Sequence, residues 1–157
     1  MKTKAETAEK LFREGYNCAQ SVAGAFCEEI GIDFNTAVRM VSGFGGGIGR
    51  MREVCGAVSG MTFVIGILMG YDDPKDVDGK KDLYAVIQTL CKEFKDITGS
   101  VICRELLSKK DAADDSPQPA ERTAEYYRQR GCAGYVACAA GILEEYLCAN
   151  FNKKDNI

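Results

Sequence analysis

The chain has 157 residues, 46% hydrophobic and 27% charged, which fits one globular domain and excludes a disordered or low-complexity protein. Its formal net charge of −3 gives no general attraction to nucleic acid or anionic lipid, so nucleic acid is not an expected partner. The sequence contains no His, which excludes Ser-His-Asp and Cys-His catalysis and His-ligated zinc. Eight cysteines are its one unusual chemical resource.

Apolar spacing and glycine punctuation predict helices in the first third of the chain. Near the N-terminus apolar residues recur at intervals of three and four, with an interruption at Gly15 and Asn17. Asn17 is suited to cap a new helix, and Gln20 completes a capping box. A short helix over 34–41 then precedes a glycine loop over 43–49.

The remaining elements are also predicted to be helical. An apolar helix follows the glycine loop and runs to Gly70, and Pro74 marks a break after it. The polar residues 108–120 contain two prolines and are predicted to form a mobile loop. The other predicted helices cover 83–97, 101–107, 121–130 and 132–151.

These elements predict an all-α fold, a single-domain helical bundle (1–157) around a central Gly-rich apolar helix. The apolar run 54–70 falls short of the roughly 20 residues of a membrane span and carries four glycines, so no membrane insertion is expected. The first ten residues show no secretory signal, which predicts a cytoplasmic protein. Cysteines there stay reduced and more often serve metal binding or catalysis than structural disulfides.

Four of the eight cysteines are predicted to lie at or near helix N-termini. Unpaired backbone N–H groups and the helix dipole favour a thiolate there, and nearby arginines act in the same direction. This group consists of Cys18, Cys55, Cys103 and Cys132. The others fall inside helices near apolar stripes and are interpreted as small buried hydrophobes: Cys27, Cys91, Cys138 and Cys148.

The glycine loop has neither a dinucleotide-binding register nor a Walker lysine. Consecutive glycines followed by two arginines are typical of a nest for an anion or a reduced sulfur species. The alternative is that the glycines only let the loop lie against neighbouring helices. The candidate cofactor-binding residues are Gly45, Gly46, Gly47, Arg50 and Arg52.

Several short segments together carry a family resemblance. In chain order they are Asn17-Cys18-Ala19-Gln20, Gly43-Phe-Gly-Gly-Gly47, Cys55-Gly-Ala-Val-Ser-Gly60, Cys103-Arg-Glu-Leu106 and Gly131-Cys132-x-Gly-Tyr135. This combination resembles the C-GCAxxG-C-C family of proteins regarded as redox-active, and the resemblance runs from about Leu11 to Leu147. It implies a small helical redox protein, often encoded near transporter genes, without a settled substrate. The family's four characteristic cysteines map onto Cys18, Cys55, Cys103 and Cys132.

Three functional hypotheses follow. In the first, the protein performs thiol–disulfide chemistry as an oxidoreductase, with Cys55 as the nucleophile and Cys132 as its resolving partner. In the second, Cys18, Cys55, Cys103 and Cys132 hold zinc or an iron–sulfur cluster. In the third, the protein is a non-catalytic helical interaction or carrier module. The expected partners are an unidentified redox protein or a membrane transporter, and a homo-oligomer is possible.

Overall fold

A computed structural model describes residues 1–151, which fold into ten α-helices and one short 3-10 helix without β-strands. The predicted all-α, single-domain architecture is therefore confirmed. The helices are α1 (Lys4–Arg13), α2 (Cys18–Ala25), α3 (Cys27–Ile30), α4 (Phe34–Met40), the 3-10 turn Ser42–Phe44, α5 (Gly56–Met69), α6 (Val77–Thr98), α7 (Cys103–Leu106), α8 (Lys109–Ala113), α9 (Ala124–Gln129) and α10 (Cys132–Asn150).

Local sequence signals set most helix boundaries. The capping box at Asn17 is present, since its side chain accepts from the Gln20 N–H and the Gln20 side chain accepts from the Asn17 N–H. Helix α6 begins at Val77, several residues before the predicted start, because the Asp76 carboxylate caps it by accepting from the Gly79 N–H. It ends at Gly99, whose φ of 99° is a left-handed conformation that favours glycine.

The sequence predicts a loop over 108–120, but the structure places a short helix within this segment. Ser108 caps the short helix α8 by accepting a hydrogen bond from the Asp111 N–H. The residues after α8 run without regular structure to Thr123, which caps α9. The mobility of this segment stays a prediction.

Helices α5 and α10 form the centre of the bundle. Helix α5 packs against α2, α6 and α10, while α10 also packs against α1. Within residues 1–151, α10 is the helix whose length and apolar composition are compatible with crossing a membrane. In this fold α10 supplies a buried face to the core, which includes Val136, Ala140, Leu143 and Leu147.

Gly60 allows the close approach of α2 to α5. A methyl group there would lie 2.8 Å from the Ala19 carbonyl oxygen and 2.9 Å from the Val22 Cβ, whereas one at Gly66 in the same helix would meet nothing within 4 Å. We expect Gly60→Ala to lower the free energy of unfolding by about 1–3 kcal/mol through overpacking. Gly66→Ala, the matched control, should raise it by about 0.5–1 kcal/mol through helix propensity. Urea titration of both variants measures this difference, and equal effects would contradict the packing argument.

Candidate thiol site

The four cysteines that the sequence places near helix N-termini do lie there. Cys18, Cys103 and Cys132 are the first residues of α2, α7 and α10, and Cys55 is the residue that precedes α5. All four line one inner cavity of about 60 Å³. This volume is enough for about two water molecules, so an organic substrate could place only a small group beside the thiols.

A short antiparallel contact fixes two of these cysteines relative to each other. Val54 and Ile102 form an isolated β-bridge, with the Cys55 N–H donating to the Val101 carbonyl at 2.8 Å and the Cys103 N–H donating to the Glu53 carbonyl at 2.6 Å. Side chains alternate along paired extended segments, so Cys55 and Cys103 are held on the same face of the bridge.

Close backbone approaches complete the inner cavity. A Cβ at Gly56 would lie 3.0 Å from the Cβ of Cys18, and a Cβ at Gly47 would lie 2.6 Å from the Cβ of Cys103. Any larger residue at either position would push the cysteine away. The glycines of these two motifs are therefore required for packing around the thiols.

The glycine loop is a left-handed turn. Its residues 46–50 have φ between 53° and 71°, and two of them, Ile48 and Arg50, are not glycine. Left-handed conformations cost such residues about 1–2 kcal/mol each. The turn is held by its own hydrogen bonds, with the Arg52 N–H donating to the Gly46 carbonyl and the Glu53 N–H to the Gly47 carbonyl. Of the candidate binding residues in the loop, Gly46 and Gly47 line the inner cavity and Gly45 lies outside it.

Arg52 is the charged residue buried most deeply beside the thiols. Its side chain is 4% exposed, contacts the Cys103 sulfur, and donates from Nε and Nη2 to the Asp114 carbonyl oxygen at 3.0 and 2.8 Å. Arg50 points away from the inner cavity and binds the Asp114 carboxylate at 3.0 Å and the Gln118 carbonyl oxygen. The two arginines thus hold the segment after α8 against the site.

Two further arginines complete the positive lining. Arg130 pairs with the Asp111 carboxylate at 2.9 Å. Arg122 lies over the Phe12 ring at 4.4 Å and the Tyr126 ring at 4.9 Å and donates to main-chain carbonyls. Arg52 and Arg122 have no carboxylate at ion-pairing distance among residues 1–151. The inner cavity therefore favours a negative charge.

Among the four thiols, Cys132 is the one whose surroundings favour the thiolate. The Cys18 thiol hydrogen-bonds to the Cys132 sulfur, and this bond, assisted by the positive charges of Arg130, Arg122 and Arg52, holds the pKa of Cys132 below its ordinary value. The same hydrogen bond, together with burial, raises the pKa of Cys18 well above its ordinary value. The pair therefore consists of a thiolate-prone Cys132 and a protonated Cys18.

The other two thiols behave differently from the sequence-based expectation. Burial raises the pKa of Cys55 to about 12, although the N–H groups of Ala57 and Val58 act in the opposite direction. Burial also raises the pKa of Cys103, against the lowering effect of Arg52. A helix N-terminus alone does not produce a thiolate where the sulfur is removed from water.

Four thiolates are a ligand set for zinc or for an iron–sulfur cluster. In the part of the chain that the structure describes, no group of three or more Cys, Asp or Glu side chains is arranged to hold a metal ion. The four sulfurs share a cavity without forming a ready coordination shell. Metal and cluster binding therefore stays a prediction from the sequence.

The remaining cysteines lie away from the inner cavity. Cys27, Cys91 and Cys138 are partly buried and pack against the core, which agrees with their interpretation as small hydrophobes. Cys148 differs, since its side chain is exposed near the end of α10.

A known protein family matches the part of the chain that contains the four cavity cysteines. The family model described as "Putative redox-active protein (C_GCAxxG_C_C)" matches residues 16–146 and so covers all four cavity cysteines. The chain belongs to this family. No curated protein and no solved structure was found to match it. In this C_GCAxxG_C_C protein, four of the cysteines within the matched region lie at a single cavity.

Sequence reasoning missed one main contributor to the site. Arg122 lies in the irregular segment before α9, far along the chain from Cys18, and only the fold carries it to the cavity. No capping, spacing or periodicity signal marks it. Tyr126 and Tyr135 also line the cavity, and burial raises the pKa of both.

Proposed function

We propose that the redox function of this C_GCAxxG_C_C protein is thiol–disulfide exchange carried by Cys132 and Cys18. The observation that carries this proposal is that Cys18 and Cys132, the first residues of two helices, line one cavity together with three arginines. The thiolate is the reactive form of cysteine, and a second thiol within contact distance completes the pair needed for a reversible disulfide. Helices α2 and α10, which begin at these two residues, pack directly against each other.

The proposed reaction has two displacement steps. The Cys132 thiolate attacks one sulfur of a substrate disulfide, so that a mixed disulfide forms, the substrate S–S bond breaks, and the first substrate thiolate leaves with the electron pair. Cys18 then loses its proton to water and attacks the Cys132 sulfur, which releases the second substrate thiolate. The protein is oxidised by two electrons to a Cys18–Cys132 disulfide, and the substrate disulfide is reduced to two thiols. Both steps are reversible.

This proposal changes the roles predicted from the sequence. Cys132 becomes the attacking sulfur rather than the resolving one, because the hydrogen bond from Cys18 and three arginines stabilise its charge. Cys55 is a poor nucleophile at neutral pH because burial raises its pKa to about 12. Cys55 and Cys103 instead line the cavity without taking part in the exchange.

The experiment oxidises the fully reduced protein with one equivalent of bis(2-hydroxyethyl) disulfide and maps the product by proteolysis and mass spectrometry. We expect a Cys18–Cys132 cross-link and release of two equivalents of mercaptoethanol. In Cys18→Ser the reaction should stop at a mercaptoethanol adduct on Cys132. The matched control is Cys91→Ser, a partly buried cysteine outside the cavity, which should give the wild-type product.

Two results would overturn the proposal. One is a disulfide that excludes Cys132, such as Cys55–Cys103. The other is an adduct in Cys18→Ser that forms at Cys91 or Cys148 as readily as at Cys132.

A further inference from the structure

A second, larger cavity lies directly outside the cysteine cavity. Its volume is about 430 Å³, within the range typical of small-molecule sites. The two cavities share lining residues, including Asn17, Gly46 and Tyr126. The outer cavity is therefore the space through which a substrate would approach Cys132.

The lining of this outer cavity carries charge of one sign. Among the residues that the structure describes, no Asp or Glu lines it. Four arginines do, namely Arg50, Arg52, Arg122 and Arg130. Two carboxylates neutralise part of this positive charge. Asp114 pairs with Arg50, and Asp111 pairs with Arg130. Among the described residues no carboxylate pairs with Arg52 or Arg122, whose partners are carbonyl oxygens, aromatic rings, the Cys103 sulfur and the Tyr127 hydroxyl. A net positive charge therefore faces the cavity.

Arg50, which lines this cavity, has an unsatisfied hydrogen-bond donor. Its Nε is buried and has no hydrogen-bond partner among the described residues. A buried N–H without an acceptor is unfavourable, and a carboxylate or sulfonate bound beside it would recover that free energy. Arg50 lines the outer cavity and not the inner one, so its charge is separated from the sulfur atoms.

We infer that the outer cavity selects small anionic disulfides, whose acidic groups bind the arginines while the S–S bond reaches Cys132. This inference names the substrate class for the exchange reaction and rests on the proposed function. The covalent steps are those of the Cys132–Cys18 exchange, with two acid-bearing thiols as products. Arginine side chains recognise carboxylates and sulfonates by paired hydrogen bonds, which neutral or cationic substituents cannot make.

The test compares three disulfides of similar size: 3,3′-dithiodipropionate (anionic), bis(2-hydroxyethyl) disulfide (neutral) and cystamine (cationic). Each rate constant for oxidation of Cys132 is divided by that of the uncharged thiol N-acetylcysteine amide with the same reagent, which removes differences in intrinsic reactivity. We expect the anionic reagent to be favoured over the neutral one by about tenfold at low salt, and cystamine to be disfavoured. This preference should shrink as salt screens the arginines.

Arg50→Gln and Arg50→Lys form the matched pair. The rate of each variant with bis(2-hydroxyethyl) disulfide serves as the reference, so that a general effect of the change on the segment after α8 divides out of the preference. Arg50→Gln should reduce the preference for dithiodipropionate severalfold, whereas Arg50→Lys, which keeps the charge but loses the paired hydrogen bonds, should reduce it less.

The outcomes separate this inference from the proposed function. Oxidation of Cys132 by the neutral reagent without preference for the anionic one overturns the inference and leaves the exchange function standing. Equal losses of the preference in Arg50→Gln and Arg50→Lys also overturn the inference. They would show that the preference depends on the position of the segment after α8 and not on the charge of residue 50. Failure of all three disulfides to oxidise the Cys18–Cys132 pair overturns both.

Discussion

Alanine at position 18 is expected to slow the alkylation of Cys132 at neutral pH by about tenfold or more. The Cys18 thiol is the main group that lowers the pKa of Cys132, and a hydrogen bond to a charged group is worth about 1.5–3 kcal/mol. Without that donor the thiolate fraction of Cys132 falls, and its pH–rate profile moves to higher pH. Iodoacetamide labelling, followed residue by residue with mass spectrometry between pH 5 and 10, measures the effect.

Serine at position 18 provides the matched control. The hydroxyl can donate the same hydrogen bond, so Cys18→Ser should keep the Cys132 profile close to that of the wild type although it removes the disulfide partner. A profile that is identical in the wild type and in Cys18→Ala would show that the arginines alone set the ionisation of Cys132. The contact with Cys18 would then have no electrostatic role.

The stability of the reduced protein should decrease as the pH rises from about 9 to 12, and Cys55 should account for a large part of the decrease. Burial raises the pKa of Cys55 from its ordinary 9.0 to about 12 in the folded protein. Above pH 9 the unfolded chain releases this proton while the folded chain retains it, so each pH unit costs about 1.4 kcal/mol. The full range corresponds to about 4 kcal/mol for this thiol.

The comparison variant is Cys55→Ala. Urea unfolding at several pH values under reducing conditions should give a shallower alkaline decline for Cys55→Ala than for the wild type, besides a loss of about 1 kcal/mol at neutral pH from packing. Cys148→Ala, which removes an exposed cysteine outside the cavity, is the control for the loss of a cysteine as such. Parallel curves for the wild type and Cys55→Ala would contradict the effect of burial on Cys55.

Sequence reasoning succeeds here where the signals are local. The Asn17–Gln20 capping box, the glycine after α6 and the start of α10 at Cys132 each depend on residues within one helical turn. Such local patterns fix helix ends before any tertiary contact forms. They also select the four cysteines, since each lies beside a helix start that the chain itself encodes.

The position of Arg122 depends on contacts distant in sequence. It donates to the carbonyls of Phe12 and Tyr16, more than a hundred residues earlier in the chain. The segment after α8 is held in the same way, through Arg52 and the Asp114 carbonyl. Neither contact leaves a periodic pattern, so residue spacing does not reveal the positive lining of the two cavities.

The sequence by itself determined the all-α fold, the starts of α2 and α10, and the position of four cysteines beside helix starts, because these follow from backbone hydrogen bonding and apolar periodicity over a few residues. The tertiary structure decided which thiol ionises. At Cys55 the helix N–H groups lower the pKa as the sequence predicts, but burial outweighs them. At Cys132 the contact with Cys18 and three arginines outweighs burial. Desolvation and charge proximity are properties of the assembled fold, and at this site they are larger than the local effect of a helix terminus.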